Sequence, residues 1–156
     1  MSREHQYSTS IKWVGNKGTG TSGYKEYERN HVITAGDKEV IQASSDPAFR
    51  GDGSKYNPEE LLVASLSSCH MLWYLHLCAD AGVVVVDYTD DAKGTMEEVD
   101  TGGGKFKEVT LYPTVIVKDA SMIEKANALH DKAHAKCFIA NSCNFPVLHS
   151  PKCSAQ

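Results

Sequence analysis

The cysteines are the side chains of this sequence best suited to nucleophilic or redox chemistry. An odd number of them without a CxxC pair argues against a disulfide framework and favours packing, metal or redox roles that differ from one thiol to the next. A thiol attacks only as the thiolate, so each cysteine is judged by whether its surroundings would stabilise a negative charge. The five are Cys69, Cys78, Cys137, Cys143 and Cys153.

Cys69 lies in an apolar stretch, 12 residues past Asn57, where a helix is predicted to begin. At ~1.5 Å per residue it is roughly 18 Å from that helix end, too far for the helix dipole to lower its pKa. A reactive thiolate here would need a cation held close to it. Without that cation, Cys69 would be a small core residue. We expect local hydrogen bonds to satisfy its helical neighbours His70 and His76.

The other cysteines differ in their predicted positions. Cys78 comes nine residues after Cys69, close to half a turn out of phase at ~100° per residue, so it faces away from Cys69. Cys137 ends a second predicted helix, where antiparallel packing could bring it against the middle of the first helix. Cys143 follows in a turn and Cys153 in a polar tail, and both are interpreted as structural or incidental, Cys143 less firmly.

The pattern HxxxHxxC places three potential metal ligands near one helical face: His130, His134 and Cys137. A metal site would need a fourth ligand, for which Cys69 is the obvious choice. Histidines on a lysine-rich helix are more typical of a solvated surface. We therefore expect neither a metal nor a cofactor.

The first helix has the clearest boundaries in the sequence. Asn57 suits the N-cap, Pro58 the first helical position and Glu60 the capping-box position. The helix is predicted to run to about Ala81, with Gly82 ending it in a left-handed turn.

The remaining segments predict an α+β fold with β-rich ends around two helices. Pro113 is expected at a strand edge or bulge, and Ser121 is expected to cap the second helix. Strands are predicted at 6–15, 24–33, 39–44, 83–98 and 106–118, a loop at 44–56, the second helix at 122–138, and a short last strand before residue 150.

Composition limits the classes of protein to consider. A chain of 156 residues and 17.0 kDa fits a single domain, 1–156. A net charge of -4 disfavours nucleic acid or an anionic membrane as partner. Polar residues interrupt the apolar run 61–79, which favours a core helix over a membrane span. The N-terminus lacks the apolar core of a signal peptide, so we expect a cytoplasmic protein.

Two segments carry a resemblance to a known family. NPEELLVASLSSC (57–69) resembles the helix start and first-cysteine motif of the OsmC and Ohr family of thiol-dependent peroxidases, and AHAKCFIANS (133–142) resembles its second-cysteine motif. The resemblance covers nearly the whole chain. It implies an OsmC-like fold, in which two central helices carry the cysteines and pack against β-sheets, and two chains form an intertwined homodimer.

The resemblance also implies roles for individual residues. Cys69 would be the peroxidatic cysteine, attacking an organic hydroperoxide, and Cys137 would resolve the resulting sulfenic acid into a disulfide that a dithiol reduces. Arg50 and Glu59 would surround the thiolate. Arg29 is the alternative arginine. Cys143 is the alternative resolver, because Phe138 follows Cys137 where the family usually has proline.

The position of Glu59 bears on the dimer. It precedes Cys69 by ten residues on one helix, about 15 Å, which is too far for both to grip one arginine comfortably. If two helices pack around a two-fold axis, Glu59 and Arg50 of one subunit could reach Cys69 of the other. We therefore predict that the monomer has no complete site. The alternative function is a non-catalytic binding protein of the same fold that holds a small apolar ligand or a metal at the dimer interface.

Overall fold

The computed structural model describes residues 2–156, and the chain divides into two compact units, one ending at Leu61 and one covering Leu62–Gln156. Both helices and strands are present, so the predicted α+β class is confirmed. The elements are β1 (Ser10–Trp13), β2 (His31–Thr34), β3 (Ile41–Ala43), α1 (Pro58–Asp80), β4 (Val85–Asp90), β5 (Lys93–Glu98), β6 (Gly104–Leu111), β7 (Pro113–Val117), α2 (Ile123–Lys136), β8 (Val147–His149) and β9 (Lys152–Ala155), with 3-10 turns at Pro47–Phe49, Ala120–Met122 and Ala140–Ser142.

The N-terminal unit contains an antiparallel sheet in the order β1-β2-β3, and the predicted hairpin of β2 with β3 is confirmed. The strand predicted at 24–33 is too long, because β2 begins only at His31. In the segment before β2, two backbone carbonyl groups accept hydrogen bonds from a side chain instead of from a neighbouring strand. The Arg29 guanidinium donates hydrogen bonds to the carbonyl oxygens of Tyr27 (2.6 Å) and Tyr24 (2.8 Å), which makes a side chain rather than a neighbouring strand the partner of these groups.

Helix α1 begins with the predicted capping box. The Asn57 side chain accepts a hydrogen bond from the backbone N–H of Glu60 (2.8 Å), and the Glu60 carboxylate accepts one from the N–H of Asn57 (3.2 Å). At the other end Gly82 has φ 73°, the left-handed conformation that favours glycine. Both predicted ends of the helix are confirmed to within one residue.

In the C-terminal unit, the strands predicted at 83–98 and 106–118 are each split in two, and the halves enter different sheets, ordered β4-β7-β9 and β5-β6-β8. Asp90 lies at the first break and Tyr112 at the second. The Asp90 carboxylate accepts a hydrogen bond from the N–H of Tyr112 (2.7 Å) and another from the Ser67 hydroxyl of α1 (2.5 Å). This carboxylate therefore ties both breaks to the helix.

Three further predictions in this unit, for Pro113, Ser121 and Cys153, are wrong. Pro113 is buried at the first position of the central strand β7, where the missing N–H is tolerated because the ladder only starts there. Ser121 does not cap α2; Asp119 caps the 3-10 turn before the helix by accepting the Ser121 N–H at 2.9 Å. Cys153 lies not in a polar tail but in β9, which pairs in parallel with β7.

Helix α1 contributes a buried face that repeats every fourth residue: Leu66, His70, Tyr74 and Cys78. One core cluster forms around Tyr74 and Cys78 with β7 and α2, and a second forms around Leu66 with β6 and β8. By length and composition alone α1 is long and apolar enough to cross a membrane. Its buried histidine and its packing against α2 are features of a core helix.

Candidate active site

One face of α1 lines a pocket of about 600 Å³ that contains Cys69. Residues of this face recur at helical spacing around the cysteine, and the segment that follows α2 supplies the remainder of the lining. The α1 residues are Ser65, Ser68, Cys69, Leu72, Trp73 and His76, and the later residues are Phe138 and Ile139. The half-buried thiol of Cys69 is therefore accessible from the pocket.

The pocket wall offers little hydrogen bonding to a ligand. Its two serines use their hydroxyl protons within the helix, where Ser65 donates to the carbonyl of Leu62 (2.7 Å) and Ser68 to that of Ala64 (2.8 Å). Leu72 and Phe138 are 63% and 68% exposed, unusually high values for large apolar side chains. The surface around Cys69 thus suits an apolar group rather than a polar one.

Cys137 lies at the C-terminus of α2, and only 2% of it is exposed. Its sulfur accepts a hydrogen bond from the N–H of Ala140 (3.4 Å). Burial is the main cause and the neighbouring Cys69 thiol a lesser one that together raise the pKa of the Cys137 thiol to about 11. Cys69 is therefore near enough to influence the pKa of Cys137, which is a neutral thiol at neutral pH.

The remaining cysteines lie elsewhere. Cys78 is buried in the cluster around Tyr74, so the prediction that it faces away from Cys69 is confirmed, and burial raises the pKa of its thiol. Cys143 packs against the Leu66 cluster, and burial raises its pKa without a contribution from Cys69. Cys137, not Cys143, has the Cys69 thiol as a neighbour.

A pair of buried histidines joins the same two helices. Nε2 of His70 and Nδ1 of His130 are 2.9 Å apart in a hydrogen bond, and each residue is 1% exposed. Burial lowers the pKa of His70 to about 4 and that of His130 to about 3, so both rings are neutral. The prediction of local hydrogen bonds is wrong for His70, whose partner lies on α2, while Nε2 of His76 lies 3.4 Å from the Asp80 carboxylate one turn further along α1.

The sequence contained a signal that each of these histidines is buried, but none for their pairing. His70 follows Leu66 and precedes Tyr74 at the four-residue spacing of the buried face, so it could have been assigned to the core. His130 follows Ala126 at the same spacing on α2. In the structure, His130 hydrogen-bonds to His70 of α1. Within residues 2–156, no group of three or more His, Cys, Asp or Glu is arranged to hold a metal, and this includes His130, His134 and Cys137.

Both candidate arginines belong to the N-terminal unit and flank Tyr24. The Arg29 guanidinium lies 4.5 Å from the centre of the Tyr24 ring and 4.0 Å from that of Tyr27, while Arg50 lies 6.0 Å from the Tyr24 ring. Arg29 does not pair with Glu26 or Glu28, nor Arg50 with Asp52, whose carboxylate pairs with Lys55.

Arg50 has an unusual backbone conformation. Its φ of 65° is the left-handed conformation, and among residues 2–156 it is the one non-glycine residue with a positive φ. It follows the 3-10 turn Pro47–Phe49, which the Asp46 side chain caps by accepting the N–H of Ala48 (2.7 Å). Such strain costs on the order of 1 kcal/mol and is concentrated at functional positions. Glu59 lies in the first turn of α1, half-buried, on the same helix as Cys69.

Comparison with known proteins gives a consistent result. The family model described as OsmC-like protein matches residues 51–150. An uncharacterized protein of Bacillus subtilis, YmaD, is 25% identical over 143 residues, which cover 89% of this chain and 87% of that protein.

Solved structures share the whole fold. An OsmC-like protein of unknown function from Vibrio cholerae is 29% identical, with a TM-score of 0.85 over 96% of this chain and 100% of that one. An organic hydroperoxide resistance protein from Elizabethkingia anophelis is 20% identical, with a TM-score of 0.71 over the full length of both chains. The organic hydroperoxide resistance protein OhrB of Bacillus subtilis is 19% identical, with a TM-score of 0.63 over 95% of this chain and 98% of that one.

The matched segment contains Cys69, Cys137 and the residues that line the pocket, and the fold around it is shared from end to end. The chain therefore belongs to the OsmC-like protein family.

Proposed function

We propose that this protein is a thiol-dependent peroxidase that reduces organic hydroperoxides, with Cys69 as the peroxidatic cysteine and Cys137 as the resolving one. The observation that carries the proposal is the position of Cys69, which faces an apolar pocket and has a second thiol beside it. Family membership and relatives named for organic hydroperoxide resistance support a peroxide-related redox function.

The reaction balances with the groups present and one added reductant. The Cys69 thiolate attacks the terminal oxygen of ROOH, the O–O bond breaks, and the products are a sulfenic acid and, after proton uptake, the alcohol ROH. The Cys137 sulfur then attacks the sulfenic sulfur, forming a disulfide and releasing water. A dithiol reduces this disulfide to two thiols and is itself oxidised. No cofactor takes part, and a reducing cytoplasm would supply the dithiol.

Arg50 and Glu59 are proposed to act on Cys69 across a homodimer. An arginine stays charged at any working pH, and a guanidinium near the sulfur would favour the thiolate. Arg50 suits this role better than Arg29, because two backbone carbonyls already hold the Arg29 guanidinium. The exposed apolar residues of α1, Leu72 among them, are a surface that a second copy could cover.

The chemistry is tested by hydroperoxide consumption with dithiothreitol as reductant. We expect Cys69→Ser to abolish turnover and Cys143→Ser, the matched control, to retain it. Mass spectrometry after one equivalent of peroxide should show the loss of two protons in the wild type and the gain of one oxygen in Cys137→Ser. Full turnover by Cys69→Ser would refute the proposal, and binding of a hydroperoxide without turnover by the wild type would favour the non-catalytic binding protein.

The dimer is tested by complementation. Cys69→Ser and Arg50→Ala homodimers should both be strongly impaired. A mixed dimer should regain about half of the wild-type activity per dimer, because one of its two sites then combines an intact Cys69 with an intact Arg50 from the other chain. If mixing restores nothing, Arg50 does not act across the interface.

A further inference from the structure

Aromatic side chains border the pocket beside Cys69. Trp73 lies one helical turn after the cysteine, and its ring centre is 5.6 Å from that of Phe138 and 5.8 Å from that of His76. The interplanar angles are 83° and 73°, so the rings meet edge to face. All three residues line the pocket.

This arrangement suits a flat ring better than a saturated one. Edge-to-face and offset contacts between aromatic rings are more favourable than the buried area alone would give. Phe138 is 68% exposed, so one face of its ring is free to meet a ligand. Lys136 lies 5.4 Å from the Trp73 ring but does not line the pocket, so it interacts with the indole from outside.

Resting on the proposed peroxidase function, we infer that Trp73 and Phe138, which pack edge to face against each other, form one aromatic surface, here called the aromatic clamp, that makes the enzyme selective for aryl hydroperoxides over saturated ones of equal size. The clamp determines which R group of ROOH is accepted, while Cys69 performs the chemistry. The serine hydroxyls at the other end of the pocket are already bonded within α1, so the aromatic end provides the selectivity.

The test compares two substrates with the same carbon skeleton: cumene hydroperoxide and its ring-saturated analogue, 2-cyclohexylprop-2-yl hydroperoxide. The wild type should show a kcat/KM about three- to tenfold higher for the aryl compound. Trp73→Leu and Phe138→Leu should each bring this ratio close to one. Leu72→Ala is the matched control, because it changes an exposed apolar pocket residue without touching the clamp, and it should lower both values and leave the ratio unchanged.

Two results would contradict the proposed clamp. One is a wild-type ratio of the two kcat/KM values near one, and the other is a ratio that stays unchanged in both leucine variants. A binding measurement separates the clamp from the catalytic proposal. Calorimetric titration of the reduced wild type with 2-phenylpropan-2-ol and 2-cyclohexylpropan-2-ol should show the same preference. If neither hydroperoxide is consumed but the aryl alcohol binds more tightly, the peroxidase proposal fails and the clamp stands; equal binding of the two alcohols contradicts the clamp.

Discussion

Helices α1 and α2 meet through two polar pairs that differ in almost every property except their location. Cys69 and His70 are consecutive in sequence; His70 hydrogen-bonds to His130 of α2, and Cys69 influences the pKa of Cys137, the C-cap of α2. The sulfur pair lies beside a pocket of about 600 Å³, whereas the imidazole pair is sealed, with both residues 1% exposed. A one-residue step around the helix thus separates a candidate reaction site from a core contact.

The comparison shows how burial gives neighbouring groups different roles. Burial keeps His70, His130 and Cys137 neutral, by lowering the pKa of the histidines and raising that of the thiol. Only the sulfur pair can meet a reagent, since Cys69 is accessible. The histidines have no such access, and their effect should appear in stability instead.

The largest effect should be on the rate at which the sulfur pair closes. Because the pKa of Cys137 is about 11, its thiolate is scarce at neutral pH, and disulfide closure should speed up about 100-fold between pH 7 and pH 9. Protein treated with one equivalent of hydroperoxide is mixed into buffers of rising pH, quenched with acid and analysed by mass spectrometry. In Cys137→Ser the sulfenic acid should persist at each pH. A closure rate independent of pH would contradict the assignment of Cys137 as a buried neutral attacker.

Much of the fold could be predicted because its signals are local. The capping box of Asn57 and Glu60 and the left-handed Gly82 depend on a few neighbouring residues, and both ends of α1 were predicted to within one residue. The broken strands were missed because one distant carboxylate, Asp90, binds the backbone of Tyr112. Hydrogen-bond partners 22 residues apart leave no periodic signal in the sequence.

The features of the candidate site also differ in whether a local sequence pattern predicts them. Helical phase predicted that Cys78 faces away from Cys69, and the structure agrees. Residue spacing gave no means of pairing His70 with His130, because these residues are 60 positions apart and their contact depends on how the two helices pack together. Residue spacing also could not predict the left-handed φ of Arg50, since nothing in the loop sequence indicates that this non-glycine residue adopts a positive φ.

A second experiment removes the hydrogen bond between His70 and His130. His130→Leu should lower the free energy of unfolding by about 1–3 kcal/mol, since it leaves Nε2 of His70 buried without its partner. The double variant His70→Leu/His130→Leu should lose less than the sum of the single losses, with a coupling of about 0.5–3 kcal/mol. Urea unfolding measures both. His76→Gln, which changes an exposed histidine of α1, is the control and should stay within about 0.5 kcal/mol of the wild type. Additive losses would show that the two rings do not interact.

The smallest effect per residue is the pH dependence of stability. The folded-state pKa values of His70 and His130, about 4 and about 3, lie below the ordinary 6.5. The unfolded chain therefore binds protons that the folded chain does not, so the stabilisation is complete above pH 6.5 and is lost as the pH falls toward 4. At pH 5 the loss should be on the order of 1 to 2 kcal/mol per histidine.

Other groups should not mask this window. His149 and His134 lower the pKa of His70 further, and Asp131 partly opposes the shift of His130, but burial is the largest cause for both rings. Asp52 and Asp119 have pKa values lowered from 3.8, so their stabilisation is lost only at more acidic pH. Urea unfolding at pH 7.5 and at pH 5 should show a loss in the wild type and a much smaller one in the double leucine variant. An equal loss in both proteins would mean that the acid sensitivity arises outside the histidine pair.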